Sequence, residues 1–385
     1  MSGFPAPGGC ALPGLPAALD AGFVREVAAP ALLAPGSSVE SLSLDCVRCS
    51  SPDEAVVGWR LTVHEDGGLR PGYLTLRLAP RWRIAREARR LAPRVPAGGV
   101  LVLAGGDALA LAFPLDRVLR ELGRTLRRAR AELVRYRPEH NAVLRAGDAF
   151  VHVRAAPLGE VALTATAIAQ GAGLRCPRID GAAGDRVVRE TPLAGRPFAG
   201  EPRAARAVGK ALAALHAAGG GGGLPRRGPI DELDATLRAC RELAFLDEEL
   251  GARAFLVAAE LSGTLPKNAG TSTIHGRLAC DEILVDGEEI ALRGFGHAAR
   301  GLPERDVASL WIDIWSQDPG SAARARDALL GGYGKELDRR DLHWCAANAA
   351  LQSAHAPFAR ARSDWRARAK EIVRLAEQLA GGNEP

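Results

Sequence analysis

Three short groups hold the side chains with which this chain could do chemistry. His275-Gly276-Arg277 places an imidazole two residues before a guanidinium, Asp281 and Glu282 set two carboxylates side by side, and Cys46-Val47-Arg48-Cys49 brings two thiols close in sequence. Neighbouring carboxylates in a loop offer one weak cation site and are more often simply solvated. The Arg277 guanidinium remains protonated at any accessible pH, so it is an anion ligand or a surface charge and never a general base. The cysteine pair lies in a β-leaning stretch; zinc would require two further ligands and a redox motif a helix start, so the spacing is read as chance. Asp306, in front of Val307 and Ala308, reads as an N-cap or as a brace for a nearby loop.

The elements that must position these groups can be read from the pattern around them. Residues 283–295 form a β-rich segment within a region that is otherwise mostly helical from Pro202 onward. A helix is expected over 203–218, followed by five glycines, 219–223, as a flexible loop. Ahead of it lies a small β-rich unit with strands at 134–138, 142–145, 150–154 and 186–189 and a short helix over 161–170. Earlier apolar runs at 41–46, 55–64 and 73–78 read as strands, the last two as a hairpin with a long loop. Residues 81–91 are expected as a helix, 100–104 and 109–113 as strands, and 116–133 as a helix with Val118, Leu119, Leu122 and Leu126 on one face. The hairpin-plus-helix units at 55–91 and 142–170 read as a weak internal repeat, with no shared residues that demand it. Residues 1–22, rich in Pro and Gly, are expected to be a flexible tail.

Composition narrows the function classes. The 385 residues divide on size into two or three domains. With 47% hydrophobic and 25% charged residues the chain is not mostly disordered and can bury a substantial core. A net charge of +5 is too dilute for a nucleic-acid binder. The arginine face of the 116–133 segment lacks interleaved aromatics, so it is read as solvated and no nucleic-acid partner is expected. Seven scattered cysteines make no disulfide framework and the start shows no signal peptide, which points to a cytoplasmic location. The most apolar stretch, 100–113, is broken by Gly105, Gly106 and Asp107, so no membrane span is expected. Only four of the 50 basic residues are lysines, and none precedes Lys210.

The segment 272–306 resembles the aminoglycoside phosphotransferase and choline kinase family. That family carries His-Gly-Asp-Leu-His-x-x-Asn-Ile-Leu, a hairpin, Ile-Asp-Phe, and a helix entered through Gly-x-Pro-x-x-Asp-Leu-Ala. His275-Gly276, Leu278, Ile283-Leu284-Val285, Phe295, Gly301, Pro303 and Asp306-Val307-Ala308 match it. Residues 208–216 are similar to the family helix that ends in Leu-His, 186–195 to the strand and hinge between lobes, and 365–375 to the terminal helix. The resemblance implies an α+β, two-lobed protein-kinase-like fold. It divides the chain into the tail 1–22, an accessory N-terminal α/β region 23–130 outside the resemblance, a small lobe 131–195 and a helical large lobe 196–380. It also implies that His275 braces the loop rather than reacting.

Carried over position by position, the resemblance places altered groups at the chemical positions. Phosphoryl transfer takes a lysine on the phosphates, an orienting carboxylate and two magnesium ligands. The carboxylate position holds Arg277, the magnesium-binding Asn position Glu282, the second metal position Gly294, and the phosphate-lysine position His152. His152 and Glu190 are the candidates for contacting a nucleotide, and Asp281 and Glu282 for holding a metal. This implies a degenerate member of the family, a pseudokinase serving as a binding or scaffolding module, with no cofactor expected and a protein partner met through residues 23–130. The alternative is an active ATP-dependent small-molecule phosphotransferase, in which unorthodox residues hold Mg-ATP and a small-molecule acceptor supplies the hydroxyl.

Overall fold

Alternation decides the first sheet. Along β2 (Glu54–Glu65), Ala55, Val57, Trp59, Leu61 and Val63 fall on one face and enter the main core. In this computed structural model, which describes residues 4–10, 12–65, 67–94, 100–103, 105–219 and 221–383, β2 pairs antiparallel with β1 (Ser38–Ser51) and β3 (Gly68–Leu78). With β4 (Val100–Val102) and β5 (Ala108–Ala112) the order is β1-β2-β3-β5-β4. Leu109 and Leu111 lie on the other face under Ile84 and Leu91 of α1 (Arg81–Leu91). β2 and β3 pair up to Glu65 and Gly68, so their connection is short where a long loop is expected. Pro71 sits where β3 is still an edge, because β5 joins only from Leu74 onward.

The second sheet repeats the first. β6 (Glu132–Arg137), β7 (Asn141–Ala146), β8 (Ala149–Arg154), β9 (Ile179–Asp180) and β10 (Val187–Glu190) have the order β6-β7-β8-β10-β9. A helix again follows the third strand, here residues Glu160–Gly171. The registers also correspond. Arg77 lies opposite Val56 and Leu109, and His152 lies opposite Val143 and Val188, the same strand positions in each sheet. The weak repeat in the sequence is thus a repeated architecture, with Arg77 as the counterpart of His152.

The segment between the sheets departs from the expected long helix. Only α2 (Leu122–Ala129) is helical. The Asp116 carboxylate accepts the N–H groups of Val118 and Leu119 and forms a turn instead, and Arg130 takes a left-handed conformation that redirects the chain into β6. Asp116 also accepts from the Tyr136 hydroxyl and the Glu139 N–H, both at 2.7 Å. Around it a charge network joins the two sheets. Arg77, only 2% exposed, meets Glu54 at 2.8 Å, Glu87 at 3.9 Å and Glu139 at 4.0 Å, while Arg117 grips Glu139 with two hydrogen bonds. Tyr73 and Tyr136 stack edge to face beside it.

The large lobe contains α4 (Pro202–Ala217), α5 (Pro229–Leu246), α6 (Glu248–Ser262), α7 (Glu304–Gln317), α8 (Pro319–Tyr333), α9 (Arg339–Ser353) and α10 (Trp365–Ala380). The hairpin β13 (Ile283–Asp286) and β14 (Glu289–Leu292) pairs with β11 (Arg196–Pro197), and β12 (Ser272–Ile274) pairs with β15 (Ala299–Gly301). The expected tail is instead a packed strap. Leu12, Leu15 and Leu19 are buried, Gly8 and Gly9 donate to the carbonyls of Leu246 and Phe245, and the Trp365 indole donates to Pro5. Its apolar side chains find partners on both sides, since the Trp59 indole also donates to Ala18 and one continuous core runs from the strap and first sheet into the large lobe. Residues 1–3 and 11 of that tail, Ala104 of the fourth expected strand and Gly220 of the glycine loop lie outside the described residues.

Removing Arg77 would leave Glu54, Glu87 and Glu139 short of a buried cation, and breaking such a pair costs about 3–5 kcal/mol. Arg77→Met is expected to lose about 3 kcal/mol in urea denaturation, because Arg83 and Arg117 still compensate part of the charge. Arg77→Met/Glu87→Leu should recover part of that loss. A cost below about 1 kcal/mol for the single change would show that the network does not hold the sheets together.

Candidate functional site

The loop that carries His275 to Arg277 is held from below by one carboxylate. Asp306, in the first turn of α7, is fully buried. It accepts the His275 N–H at 2.6 Å, the Gly276 N–H at 2.8 Å and the His216 Nε2–H at 3.0 Å. Since a carboxylate can only accept, Nε2 of His216 carries a proton, and its Nδ1 atom lies 2.9 Å from the Tyr333 hydroxyl. Burial alone would raise the Asp306 carboxyl, yet the His216 hydrogen bond and the charges and N–H around it hold it below its ordinary range. Asp306 is therefore a loop brace, as one of the two sequence readings has it, while Pro303 takes the N-cap position. The His275 ring donates through Nε2 to the Arg293 carbonyl at 2.8 Å, which ties the loop to the end of the hairpin. It is a bracing residue too.

The same loop is fixed from its other end. The Gly276 carbonyl accepts from Arg305 Nε at 2.8 Å and from Arg227 Nη1 at 3.3 Å, and Glu232 pairs with both guanidinium groups. Burial, and then the charge of Arg227, push Arg305 down to about 9. Gly276 has a left-handed backbone, and a Cβ there would lie 2.0 Å from the His297 carbonyl oxygen, so only glycine fits.

Glu282 and Gly294 fit one another. Gly294 is left-handed with φ of +86°, and a Cβ built on it would fall 2.2 Å from Glu282 Oε2. The Glu282 carboxylate thus fills the space from which a side chain at 294 would emerge. Arg293 stands 3.9 Å from that carboxylate and hydrogen-bonds to the Asp281 carbonyl at 2.6 and 3.0 Å. The Asp281 side chain turns away to Arg135 at 3.3 Å. Burial raises the Glu282 carboxyl above its usual range. Among the described residues no three His, Cys, Asp or Glu side chains gather to hold a metal ion.

His152 and Glu190 are brought together, Nε2 to Oε2 at 3.1 Å. Burial opposes ionisation of Glu190, but the His152 hydrogen bond and the charges of His152, Arg154 and Arg293 hold it below its ordinary value. The helix after β8 presents Thr166, buried, at its seventh position, where α1 of the first sheet presents Glu87. Arg277 is exposed and has no ion pair among the described residues; the same is true of Arg137 and Arg360. The three are electrostatic neighbours: partial enclosure of the guanidinium, and then the charges of Arg135, Arg277 and Arg360, push Arg137 down. A cleft of about 510 Å³ is lined by Val161, Arg226, Arg227, Asp231, Arg238 and His297 among others. Partial enclosure of the ring, and then the charges of Arg277 and Arg227, push the His297 imidazole down to about 4.

Sequence reasoning missed several of these residues. His216 ends the helix motif that the resemblance had already marked, and its position was the signal for its role. Arg137, Arg360 and His297 carry no local pattern and meet only through folding. Cys46 and Cys49 do not face one another: Cys46 contacts the Tyr73 hydroxyl at 3.5 Å, and Cys49 turns toward Cys10.

A five-stranded lobe hinged to a helical lobe, with a buried aspartate holding a His-Gly loop beside a short hairpin, defines a protein-kinase-like phosphotransferase fold. Residues 116–347 match the model of the phosphotransferase enzyme family, and the chain belongs to that family. It is similar in structure to a choline kinase from Cryptosporidium parvum Iowa II, with 10% identity, 66% of this chain and 89% of that chain covered, and a TM-score of 0.51. A Plasmodium vivax ethanolamine kinase gives 11% identity over 66% of this chain and 83% of that chain, with a TM-score of 0.50. At such identities the likeness is one of fold alone. No curated protein matches the sequence. Among the described residues no helix is long and apolar enough to cross a membrane.

Two outcomes follow from this geometry. Asp306→Asn should cost about 3–5 kcal/mol, because the amide cannot serve three donors in a buried site. The unfolded chain takes up a proton on this aspartate near its ordinary value of about 3.9, above the folded value, so its stabilisation is complete above that pH and drains away as pH falls through the folded value. Urea denaturation of wild type and Asp306→Asn should therefore converge in acid; parallel curves would refute the brace. Gly294→Ala should cost about 2 kcal/mol from backbone strain and the clash with Glu282. Gly294→Ala/Glu282→Ala should relieve the clash and leave only the strain; an unrelieved double variant would separate the two residues.

Proposed function

We propose that this protein is a catalytically silent member of its family, kept as a binding module whose interlobe cleft takes an anion without magnesium. The observation that carries this reading is the fit of Glu282 into the space over Gly294. Two positions that would each offer a metal ligand are reduced to one carboxylate, and Arg293 stands beside it. Magnesium prefers octahedral oxygen coordination and does not fit a lone carboxylate flanked by a guanidinium. Arg277 supplies a permanent positive charge where the resembled motif has its orienting carboxylate, and His152 is engaged with Glu190 where that motif has its phosphate lysine. No step of phosphoryl transfer is assigned to these groups.

The unpaired guanidinium groups of Arg137, Arg277 and Arg360 supply what an anionic ligand needs. A scaffolding role would use the outer surface of residues 23–130, where Trp82 is 65% exposed on the arginine-rich α1 with Arg86 stacked on its ring. The reading of an active small-molecule phosphotransferase draws its support from Glu282 alone, which keeps one carboxylate at the metal corner.

Thermal unfolding with ATP, ADP or pyrophosphate, each with and without magnesium, separates the two. A ligand at 100 times its Kd stabilises the native state by about 2.7 kcal/mol, a shift of a few degrees in a chain of this size. The binding-module reading expects a shift that needs no magnesium and that Arg277→Ser abolishes. A shift that requires magnesium, or ATP turnover lost in Glu282→Gln, would establish the active phosphotransferase instead.

A further inference from the structure

α1 lies on the first sheet with Ile84 and Leu91 against Leu109 and Leu111, and its outward positions 81, 82, 85, 86, 89 and 90 are all exposed. Every one of them except Ala85 is arginine or tryptophan. The acids of this region are engaged on the other side. Glu87, the one carboxylate of the helix, is buried and meets Arg77 and Arg83, and Glu54 pairs with the same two guanidinium groups. Arg81, Arg86, Arg89 and Arg90 have no ion pair among the described residues, and Arg89 donates to the Ala85 carbonyl of its own helix. Trp82 is 65% exposed, and the Arg86 guanidinium sits 5.1 Å from its ring centroid, which holds the indole in place. Val102, two positions from Val100 on the sheet face that α1 covers, is 43% exposed as well.

We propose that this face docks an acidic segment of a partner protein, one that carries an apolar side chain among its carboxylates. The proposal rests on the reading of a module kept for binding and names what its outer surface takes. Four guanidinium groups that the chain itself leaves unneutralised present forked donors, which match carboxylates two bonds at a time. A purely charged ligand would leave Trp82 in water. An apolar side chain set among the carboxylates covers the indole, and Trp and Arg are the residue types that carry most of the binding energy at protein interfaces. Because Arg86 already holds the indole, little side-chain freedom is lost on docking. A nucleic acid is matched less well: bases stack on open aromatic faces, and Arg86 occupies one face of the single aromatic residue of the helix.

The test is fluorescence anisotropy of a labelled peptide of repeated Glu-Glu-Leu on the full-length protein, with oligoglutamate and oligothymidylate as competitors. The peptide is expected to bind, to weaken as salt rises, and to be displaced poorly by either competitor. Trp82→Ala should weaken binding by about tenfold, and Arg86→Gln/Arg89→Gln, which keeps helix propensity, by a similar factor. Removing two exposed arginines of the large lobe, Arg324→Gln/Arg374→Gln, should change it by less than about twofold. Oligoglutamate competing as well as the unlabelled peptide, oligothymidylate binding more tightly, no peptide binding, or an equal loss in the large-lobe variant would each overturn the proposal. Thermal unfolding of every variant without ligand verifies the fold. The magnesium-free shift with pyrophosphate is measured alongside on wild type and Trp82→Ala and is expected in both. Absent peptide binding with that shift intact removes this docking face alone, whereas ATP turnover lost in Glu282→Gln removes the binding-module reading itself.

Discussion

The buried carboxylate of Asp306 is the constraint on which the large lobe depends. It is charged, fully enclosed and paired with N–H donors from two successive backbone positions and one imidazole. A carboxylate in that environment costs several kcal/mol of desolvation unless its lone pairs are used, and here they are used by groups from two separate parts of the chain, one of them backed by a third. α4 supplies His216, α8 supplies Tyr333 behind it, and the loop after β12 supplies His275 and Gly276. None of these elements can shift without uncovering the charge. The loop's backbone is therefore fixed whatever side chain stands at 277.

The other end of the molecule is organised by repetition. Two sheets of identical strand order stand side by side, joined through Asp116, Tyr136 and the Arg77–Glu139 cluster. A cation on the third strand meets a carboxylate on the following helix in the first sheet, Arg77 with Glu87, and the second sheet lacks that pairing. Arg77 is closed in by three glutamates and serves the joint between sheets, so its position is used for cohesion rather than for a ligand. The strap completes the arrangement by continuing the apolar core of the first sheet into the large lobe. The accessory region thus contacts both lobes.

Much of the fold was legible because it rests on local pattern. Residues 55–63 alternate, 81–91 repeat apolar positions at helical spacing, and the matched 275–308 positions fix the loop and the hairpin in order. What escaped depended on long-range pairing. The helix expected over 116–133 shortened because Asp116 found donors at 118, 119, 136 and 139, a capture that no periodicity reports. The strap looked like a tail because Pro and Gly dominate it, while its buried residues Leu12, Leu15, Ala18 and Leu19 acquire partners only after folding. In the site, Asp306 and Glu282 could be singled out from the resembled motif. Arg137, Arg360 and His297 could not, since each comes from a different element and their charges matter only by being near Arg277.

Inside the loop the groups that brace the backbone are distinct from the side chain it exposes. The groups that hold the loop are backbone N–H and C=O atoms, the ring of His216 and the Nε2 atom of His275, each with a partner below or beside it. The Arg277 side chain, by contrast, is exposed and contributes nothing to that bracing. Substitution at 277 is therefore free of structural consequence. Substitution at 282 and 294 is not, because a longer carboxylate at 282 needs the Cβ of 294 gone, and a left-handed backbone at 294 already favours glycine. Glu282 and Gly294 are thus sterically coupled.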